Sequence, residues 1–196
     1  MVLAAGFSTR LGRPKALSKI RGVTLLSRTV RLLAALSARR VIVVLPPAGA
    51  RARAELSRHR VDFAFSRQRR RGLSASVKSG LFRAQYSAAV LILPVDLAWL
   101  ERREIARLLA RWRSSRRSVV ARRLGTGAAA PLILPRRLYP AARRIGGDRG
   151  LRNLVNSLPG DQLKLVEVPS AALDVDTPQD LRRARRRLRA LDPGSR

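Results

Sequence analysis

The chain has 196 residues and no cysteine, and its 42 lysines and arginines against 12 aspartates and glutamates give a formal charge of +30. A chain of this length can bury one substantial core, and the lack of cysteine excludes disulfides, thiolate metal ligands and a cysteine nucleophile. No apolar run reaches the roughly 18 residues of a membrane-spanning helix, and no basic leader precedes the first apolar stretch. We therefore expect a cytoplasmic protein without a membrane partner.

Strands and helices alternate along the chain. In order, the residue pattern predicts a strand at 2–5, a helix at 24–36, a strand at 41–45, a helix at 51–58, a strand at 61–65, a helix at 72–85, a strand at 88–94, a helix at 102–113, strands at 119–121, 131–134 and 163–168 (the last at a sheet edge), and a helix at 178–191. This alternation is typical of an α/β fold, with helices on both faces of a parallel or mixed sheet. We predict one domain over residues 1–191 and a disordered tail at 192–196.

The charge excess is almost wholly arginine, because only four of the basic residues are lysines. The arginines are scattered along every helix-like segment, and aromatic residues, on which single-stranded bases stack, make up only 4%. A basic surface attracts polyanions, so we expect nonspecific contact with nucleic acid and no dedicated nucleic-acid site.

The first predicted strand leads into a loop that is typical of a phosphate site. Small residues let backbone N–H groups approach phosphate oxygens, and two fixed cations neutralise the remaining charge. The spacing is not that of a Walker A motif, because the lysine is not followed by serine or threonine. The alternative is an ordinary glycine-containing turn after an edge strand. The candidate nucleotide-binding residues here are Leu3, Ala4, Ala5, Gly6, Ser8, Arg10 and Lys15.

Three aspartates are candidate metal ligands. Asp96 follows the apolar strand at 88–94, where a carboxylate either caps the next helix or binds a metal. Asp174 and Asp176 lie on one side of a segment that is predicted to be extended, next to Thr177, which is predicted to cap the last helix. Mg²⁺ prefers one or two carboxylates with phosphate oxygens and water, so these acids form a candidate magnesium site. Solvated ion pairs with arginine explain the acids of the helix-like stretches, Glu55, Glu101 and Glu104.

Small hydroxyl residues open the predicted helix at 72–85. Gly72, Ser74 and Ser76 either cap this helix or contact the ribose and base of a nucleotide. With no cysteine and a single histidine, the chain is not expected to hold a zinc cluster or a histidine-based catalytic triad.

Five segments, taken in order, resemble those of the MobA/MocA-like nucleotidyltransferases, a family that joins a nucleoside monophosphate to a phosphorylated acceptor. The first loop matches the family pattern L-A-A-G-x-S-x-R-x-G-x-P-K. Asp96 corresponds to the metal-binding aspartate of the family. The other three segments of this chain are G-L-S-A-S, P-L-I-L followed by G-D-R-G-L-R, and D-V-D-T-P-Q-D-L. Two departures concern the acceptor side: no proline follows Asp96 closely, and a G-H-P segment is replaced by G-A-A-A-P at 127–131.

The resemblance implies a Rossmann-like three-layer α/β/α fold with a mostly parallel mixed sheet, of the nucleotide-diphospho-sugar transferase type. It implies Lys15, Arg10 and Asp96 as catalytic residues, and Mg²⁺ on Asp96 and Asp176 with Asp174 close by. The nucleotide is expected to contact the first loop together with Gly72, Ser74 and Ser76. Arg149 and Arg152 are candidates for holding the phosphate of the acceptor.

Within the family, the first loop and the last segment look most like molybdenum cofactor cytidylyltransferase. This implies transfer of CMP from CTP to the terminal phosphate of Mo-molybdopterin, with release of pyrophosphate and with a molybdoenzyme as a further partner. The alternatives are a GTP-dependent guanylyltransferase, a transferase of the same fold for another phosphorylated acceptor, and a noncatalytic protein that delivers the cofactor or binds nucleic acid.

Overall fold

The computed structural model describes residues 1–36 and 38–190, so the predicted tail at 192–196 lies outside the described residues. The strands are β1 Val2–Leu3, β2 Lys19–Ile20, β3 Val23–Thr24, β4 Ile42–Leu45, β5 Asp62–Phe65, β6 Ala89–Pro94, β7 Val119–Leu124, β8 Gly127–Pro135 and β9 Leu163–Val166. The α-helices are α1 Leu25–Ala34, α2 Ala50–Glu55, α3 Leu73–Arg83, α4 Arg102–Arg113, α5 Tyr139–Arg144, α6 Gly150–Asn156 and α7 Pro178–Ala190.

The main sheet has the strand order β5-β4-β1-β6-β8-β7-β9. All neighbouring pairs are parallel except the two that β8 makes, so in the described part of the chain β8 alone runs against the other strands of this sheet. Strands β2 and β3 form a separate antiparallel hairpin. The carboxyl ends of β1, β4 and β6 lie side by side, which is where ligands bind in open α/β sheets.

Helices cover both faces of the main sheet. Residues of α1, α2, α4 and α7 pack against one face, and residues of α3, α5 and α6 pack against the other. Strand β4 shows the alternation, because Val43 and Leu45 belong to the first layer and Ile42 and Val44 to the second. A strand that is buried on both faces needs an apolar residue at every position. This arrangement confirms the predicted three-layer α/β/α fold with a mostly parallel mixed sheet.

The structure differs from the prediction in both halves of the chain. Strands β7 and β8 are longer than the predicted 119–121 and 131–134. In β7 the prediction stopped too early because Arg122 and Arg123 interrupt the apolar run but continue the strand. The elements β2, β3, α5 and α6 were not predicted. At the start, β1 ends at Leu3 instead of at residue 5. None of the described helices is both long enough and apolar enough to cross a membrane.

Candidate active site

The loop after β1, residues 4–15 (the first loop), is held partly by hydrogen bonds within itself. Ser8 has a left-handed backbone conformation with φ of 54°, and its carbonyl accepts the N–H groups of Leu11 and Gly12. The hydroxyl oxygen of Ser8 accepts the backbone N–H of Lys15 at 3.0 Å. Gly12, with φ of +69°, ends the turn in a conformation that favours glycine. The side chain of Ser8 therefore fixes the backbone from which Lys15 extends.

The side chain of Lys15 lies between two carboxylates from distant parts of the chain. Its Nζ is 3.0 Å from Asp96 Oδ2 and also contacts Asp176 Oδ1. The guanidinium of Arg10 approaches the other oxygen of Asp176 at 2.6 Å. The structure thus brings together four residues that the sequence placed in the site.

The charge of Lys15 is stabilised by these neighbours. Partial burial disfavours the charged ammonium, but Asp96 and Asp176 outweigh this effect and raise the pKa of Lys15 above its usual value. Lys15 is therefore protonated at neutral pH and supplies a fixed positive charge beside the carboxyl end of β1.

Asp174 lies close to the same charges. Burial of its carboxyl, together with the nearby charge of Asp96, raises the pKa of Asp174 to about 6, and the guanidinium of Arg122 acts in the opposite direction. The carboxyl therefore holds its proton more tightly than an ordinary surface aspartate. By its surface area, however, Asp174 is an exposed residue, so solvent screens these charges.

The carboxylates present fit a divalent cation. Across the described ranges, 1–36 and 38–190, no three His, Cys, Asp or Glu side chains are grouped as a complete metal site. Asp96 and Asp176 nevertheless converge on one positive charge, the ammonium of Lys15. Mg²⁺ binds through one or two carboxylates and takes its other ligands from phosphate and water. The donor set therefore suits a cation that arrives together with a triphosphate.

The alternative role of Asp96 as a helix cap is wrong. Helix α4 begins at Arg102, and Glu101 and Glu104 form its capping box, with the Glu101 N–H donating to Glu104 Oε2 at 3.0 Å. The predicted cap of α7 is confirmed, because Thr177 Oγ1 accepts the N–H of Asp180 at 3.2 Å.

A cleft of about 920 Å³ opens beside the charged cluster, between the first loop, the segment after β4 and the start of α3. The predicted site residues that line it are Leu3, Ala4, Ala5, Gly6, Ser8, Lys15, Gly72, Ser76 and Asp96. Arg10, Asp174 and Asp176 lie outside this lining. Ser74 does not line the cleft either. The residue is buried, and its hydroxyl donates to the carbonyl of Arg71 at 3.2 Å.

One residue of the cleft wall, Asp148, was missed from the sequence. Its Oδ1 accepts the N–H of Leu73 at 2.9 Å and so caps the start of α3. A Cβ on Gly72 would stand 2.6 Å from the same oxygen, and Gly72 has φ of +84°, so glycine is required there. The aspartate of the G-D-R-G segment was the one sequence feature that could have pointed to Asp148. Arg149 and Arg152 are exposed and do not line the cleft.

The interpretation of Glu104 as a solvated ion pair is wrong. The residue is only 3% exposed, and its Oε1 accepts the N–H of Ser170 at 3.0 Å. The helical pattern placed Glu104 among arginines, but the residue lies next to the buried Ile105 on α4. Glu101 contacts the exposed Arg103 as predicted, and its carboxylate also takes part in the capping box of α4. The same interpretation is not met at Glu55, whose Oε1 accepts hydrogen bonds from two hydroxyls of other elements at 2.9 Å.

Comparison with known proteins relates this fold and site to a family. Residues 1–163 match the MobA-like NTP transferase domain. A probable molybdenum cofactor guanylyltransferase from Rhodopirellula baltica is 30% identical over 190 residues, which cover 92% of this chain and 88% of that protein. A phosphoenolpyruvate guanylyltransferase from Rubrobacter xylanophilus is 32% identical over 172 residues, which cover 83% of this chain and 79% of that protein.

Two other similarities are partial. The chain spans 24% of the length of the bifunctional protein GlmU from Methylococcus capsulatus, with 34% identity over 111 residues. It spans 41% of a phosphoenolpyruvate guanylyltransferase from Mycolicibacterium paratuberculosis, with 39% identity over 98 residues.

The fold is similar to that of Rv0371c from Mycobacterium tuberculosis. Its crystal structure gives a TM-score of 0.81 at 27% identity and covers 94% of this chain and 95% of that one. A structure of Rv0371c in complex with manganese gives a TM-score of 0.76 at 25% identity over 94% and 96% of the two chains. The match over residues 1–163 shows that the chain belongs to the MobA-like NTP transferase family, and these structural likenesses agree with its Rossmann-like α/β fold.

Proposed function

We propose that this chain transfers a nucleotidyl group from a nucleoside triphosphate to the phosphate of an acceptor, releasing pyrophosphate and requiring a divalent cation. The observation that carries the proposal is the position of Lys15, which contacts both Asp96 and Asp176 beside the cleft. Phosphoryl-type transfer depends mainly on positioning and on neutralising charge. A fixed cation and two carboxylates beside one cleft supply both.

The first loop is proposed to hold the triphosphate. Backbone N–H groups from Ala5 to Ser8 bind phosphate oxygens, while Lys15 and Arg10 bind the β- and γ-phosphates and stabilise the departing pyrophosphate. Both cations already lie at the carboxylate cluster, next to where these phosphates would sit. On the opposite wall of the cleft, Gly72 and Ser76 contact the ribose and base, and Ser74 supports the start of α3.

Asp96 and Asp176 are proposed to hold the divalent cation, with Asp174 beside them. When bound, such a cation neutralises charge on the phosphates and aligns them. We propose Mg²⁺ as this cation. The manganese complex of the similar M. tuberculosis protein supports a divalent cation in a fold of this kind.

The proposed transfer needs no general base from the protein. A phosphate monoester has its second pKa near 6 and is therefore largely ionised at neutral pH. One of its oxygens forms a bond to the α-phosphorus, and the bond from that phosphorus to the bridging oxygen of the β-phosphate breaks. Pyrophosphate leaves with the electron pair. Arg149 and Arg152, at the start of α6, are the proposed contacts for the acceptor phosphate.

We propose CTP as the nucleotide and the terminal phosphate of Mo-molybdopterin as the acceptor, because the first loop and the D-V-D-T-P-Q-D-L segment resemble those of the cytidylyltransferases. A molybdoenzyme that receives the product is then the proposed partner. The names of the relatives support a second candidate, which uses GTP and transfers GMP to molybdopterin or to phosphoenolpyruvate.

Pyrophosphate release tests these assignments. We would measure it with CTP, GTP and ATP, each with Mg²⁺ or Mn²⁺ and with either Mo-molybdopterin or phosphoenolpyruvate. CTP with Mo-molybdopterin is expected to give the fastest release, whereas faster release from GTP would establish the second candidate. No release in any combination, together with salt-sensitive binding to nucleic acid, would identify a noncatalytic binding protein.

A further inference from the structure

The segment at 169–176, which carries two of the candidate metal ligands, is anchored by buried charged residues from other elements. It begins with a 3-10 turn, Pro169–Ala172. Glu104 of α4 holds the first half of this turn, and Arg122 of β7 holds the second half. Neither residue lines the cleft.

Glu104 is engaged at both carboxylate oxygens. Its Oε1 accepts the N–H of Ser170 at 3.0 Å, and its Oε2 contacts the hydroxyl of Ser170. The same Oε2 accepts the N–H of Glu101 at 3.0 Å. A carboxylate that is 3% exposed and bound on both oxygens cannot swing away without losing charge-assisted hydrogen bonds.

Arg122 approaches the turn from the opposite end. Arg122 is 7% exposed, and its guanidinium donates a hydrogen bond to the carbonyl of Ala171. The pairing register of β7 shifts between Ala121 and Arg122, and such irregularities re-aim side chains. The charge of Arg122 also acts on the carboxyl of Asp174. An anion at the N–H end of the turn and a cation at its carbonyl end match the direction of the backbone dipoles.

The backbone around the two aspartates is fixed as well. The N–H of Val175 donates to the carbonyl of Asp96 at 3.1 Å, which ties the segment to the end of β6. Asp180 Oδ2 accepts the N–H groups of Asp176 at 3.2 Å and Thr177 at 2.8 Å. The free energy needed to bury charged groups is high unless they are well paired. Two buried charges on a four-residue turn therefore call for a role beyond filling space.

We propose that Glu104 and Arg122 are positioning residues that set where Asp174 and Asp176 stand relative to Asp96, and so determine the affinity for the divalent cation. The inference rests on the proposed function, because it requires these carboxylates to bind a cation. Residues that orient metal ligands from behind typically change metal affinity by about 10- to 100-fold when they are lost.

Direct binding of Mn²⁺, followed through the electron paramagnetic resonance signal of the free ion, tests the proposal. We expect Arg122→Met and Glu104→Gln each to raise the Kd for Mn²⁺ by about 10-fold. Arg122→Lys keeps the charge and the donor and is expected to recover most of the affinity. Arg123, which follows Arg122 on β7, forms an exposed ion pair of 2.8 Å with Glu167. The matched controls Arg123→Met and Glu167→Gln break this pair and are expected to bind Mn²⁺ like the wild type.

Circular dichroism and thermal unfolding show whether each variant is folded. Where Arg122→Met or Glu104→Gln does not fold, Ser170→Ala decides, since it removes one hydroxyl from Glu104 and is expected to raise the Kd about threefold. An unchanged Kd in the folded variants, even with a lower melting temperature, overturns the inference and leaves the proposed function intact. A wild-type protein that neither binds Mn²⁺ nor releases pyrophosphate overturns both.

Discussion

Two segments meet at the candidate active site, and they are held in different ways. The first loop keeps its shape through the backbone and hydroxyl of its own Ser8, and it projects Arg10 and Lys15 towards the carboxylates. The segment at 169–176 is instead held from outside, by Glu104 of α4 and Arg122 of β7.

The difference reflects what each segment has to present. A loop that offers N–H groups and flexible cations to phosphate can be specified by a short local sequence. A pair of aspartates close to a third one must be held against mutual repulsion, which requires charges of opposite sign and buried hydrogen bonds from elsewhere in the fold. Changes in the first loop should therefore reduce turnover, and changes around the acidic segment should reduce metal binding.

The largest effect is expected where the two segments meet. Asp96→Asn removes one of the two carboxylates that converge on Lys15 and should lower metal-dependent pyrophosphate release by roughly 1,000-fold, because a bound cation contributes several kcal/mol to stabilising charge. Circular dichroism should show a retained fold. Asp62→Asn, in an exposed pair with Arg40, is the control. Near-normal release by Asp96→Asn would remove this residue from the site.

Lys15→Ala distinguishes the role of the first loop in turnover from the role of the acidic segment in metal binding. It removes a charge from the departing pyrophosphate and should slow its release about 100-fold, the usual cost of losing one transition-state contact. Binding of Mn²⁺ should not weaken, because the ammonium competes with the cation for Asp96 and Asp176. Lys19→Ala, at an exposed position on β2, serves as the control. Weaker Mn²⁺ binding by Lys15→Ala would contradict the division between the segments.

The acidic segment should also show itself in the pH dependence of stability. The pKa of Asp174 is raised to about 6 in the folded protein from an ordinary value of 3.8, so the folded state disfavours its charged form. The protonated carboxyl therefore adds to the stability of the folded protein below pH 4, and this added stability is lost as the pH rises through about 6. Asp174→Asn should therefore raise the melting temperature of the metal-free protein at pH 7.5 by about 2–4 °C, since solvent screening limits the gain to about 1 kcal/mol. Parallel melting profiles of the two proteins from pH 4 to 8 would contradict this effect.

The smallest effect on the metal site is expected from a change at the cleft wall, away from both segments. Asp148→Ala removes the cap of α3 and should cost about 1 kcal/mol of folding free energy, seen as a drop of about 2–4 °C in the melting temperature. Mn²⁺ affinity should stay the same. Asp161→Ala, at an exposed position before β9, is the comparison. A change in Mn²⁺ affinity in Asp148→Ala would connect α3 to the metal ligands.

The sequence predicted the features that depend on local pattern. The layered fold follows from apolar runs such as 41–45, and the first loop is readable because its phosphate-binding chemistry lies within a dozen residues. Glu104 and Arg122 were not predictable, because their roles depend on contacts between α4, β7 and a turn far along the chain. An acid surrounded by arginines gives no sign in sequence that it faces inward, and the irregularity that re-aims Arg122 has no signature of its own.

Transfer of label is the most direct test of the central claim. The wild-type protein would be incubated with Mg²⁺, a phosphorylated acceptor and CTP or GTP that carries ³²P at the α-phosphate. We predict that the label appears in a diphosphate-linked product with the acceptor and that the released pyrophosphate is unlabelled. Asp96→Asn should lower the formation of the product and the release of pyrophosphate by the same factor, roughly 1,000-fold. Nucleotidyl transfer at this site would be contradicted if the label stayed in the nucleotide with CTP and with GTP, whether the acceptor is Mo-molybdopterin or phosphoenolpyruvate. It would also be contradicted if the label appeared only in free nucleoside monophosphate.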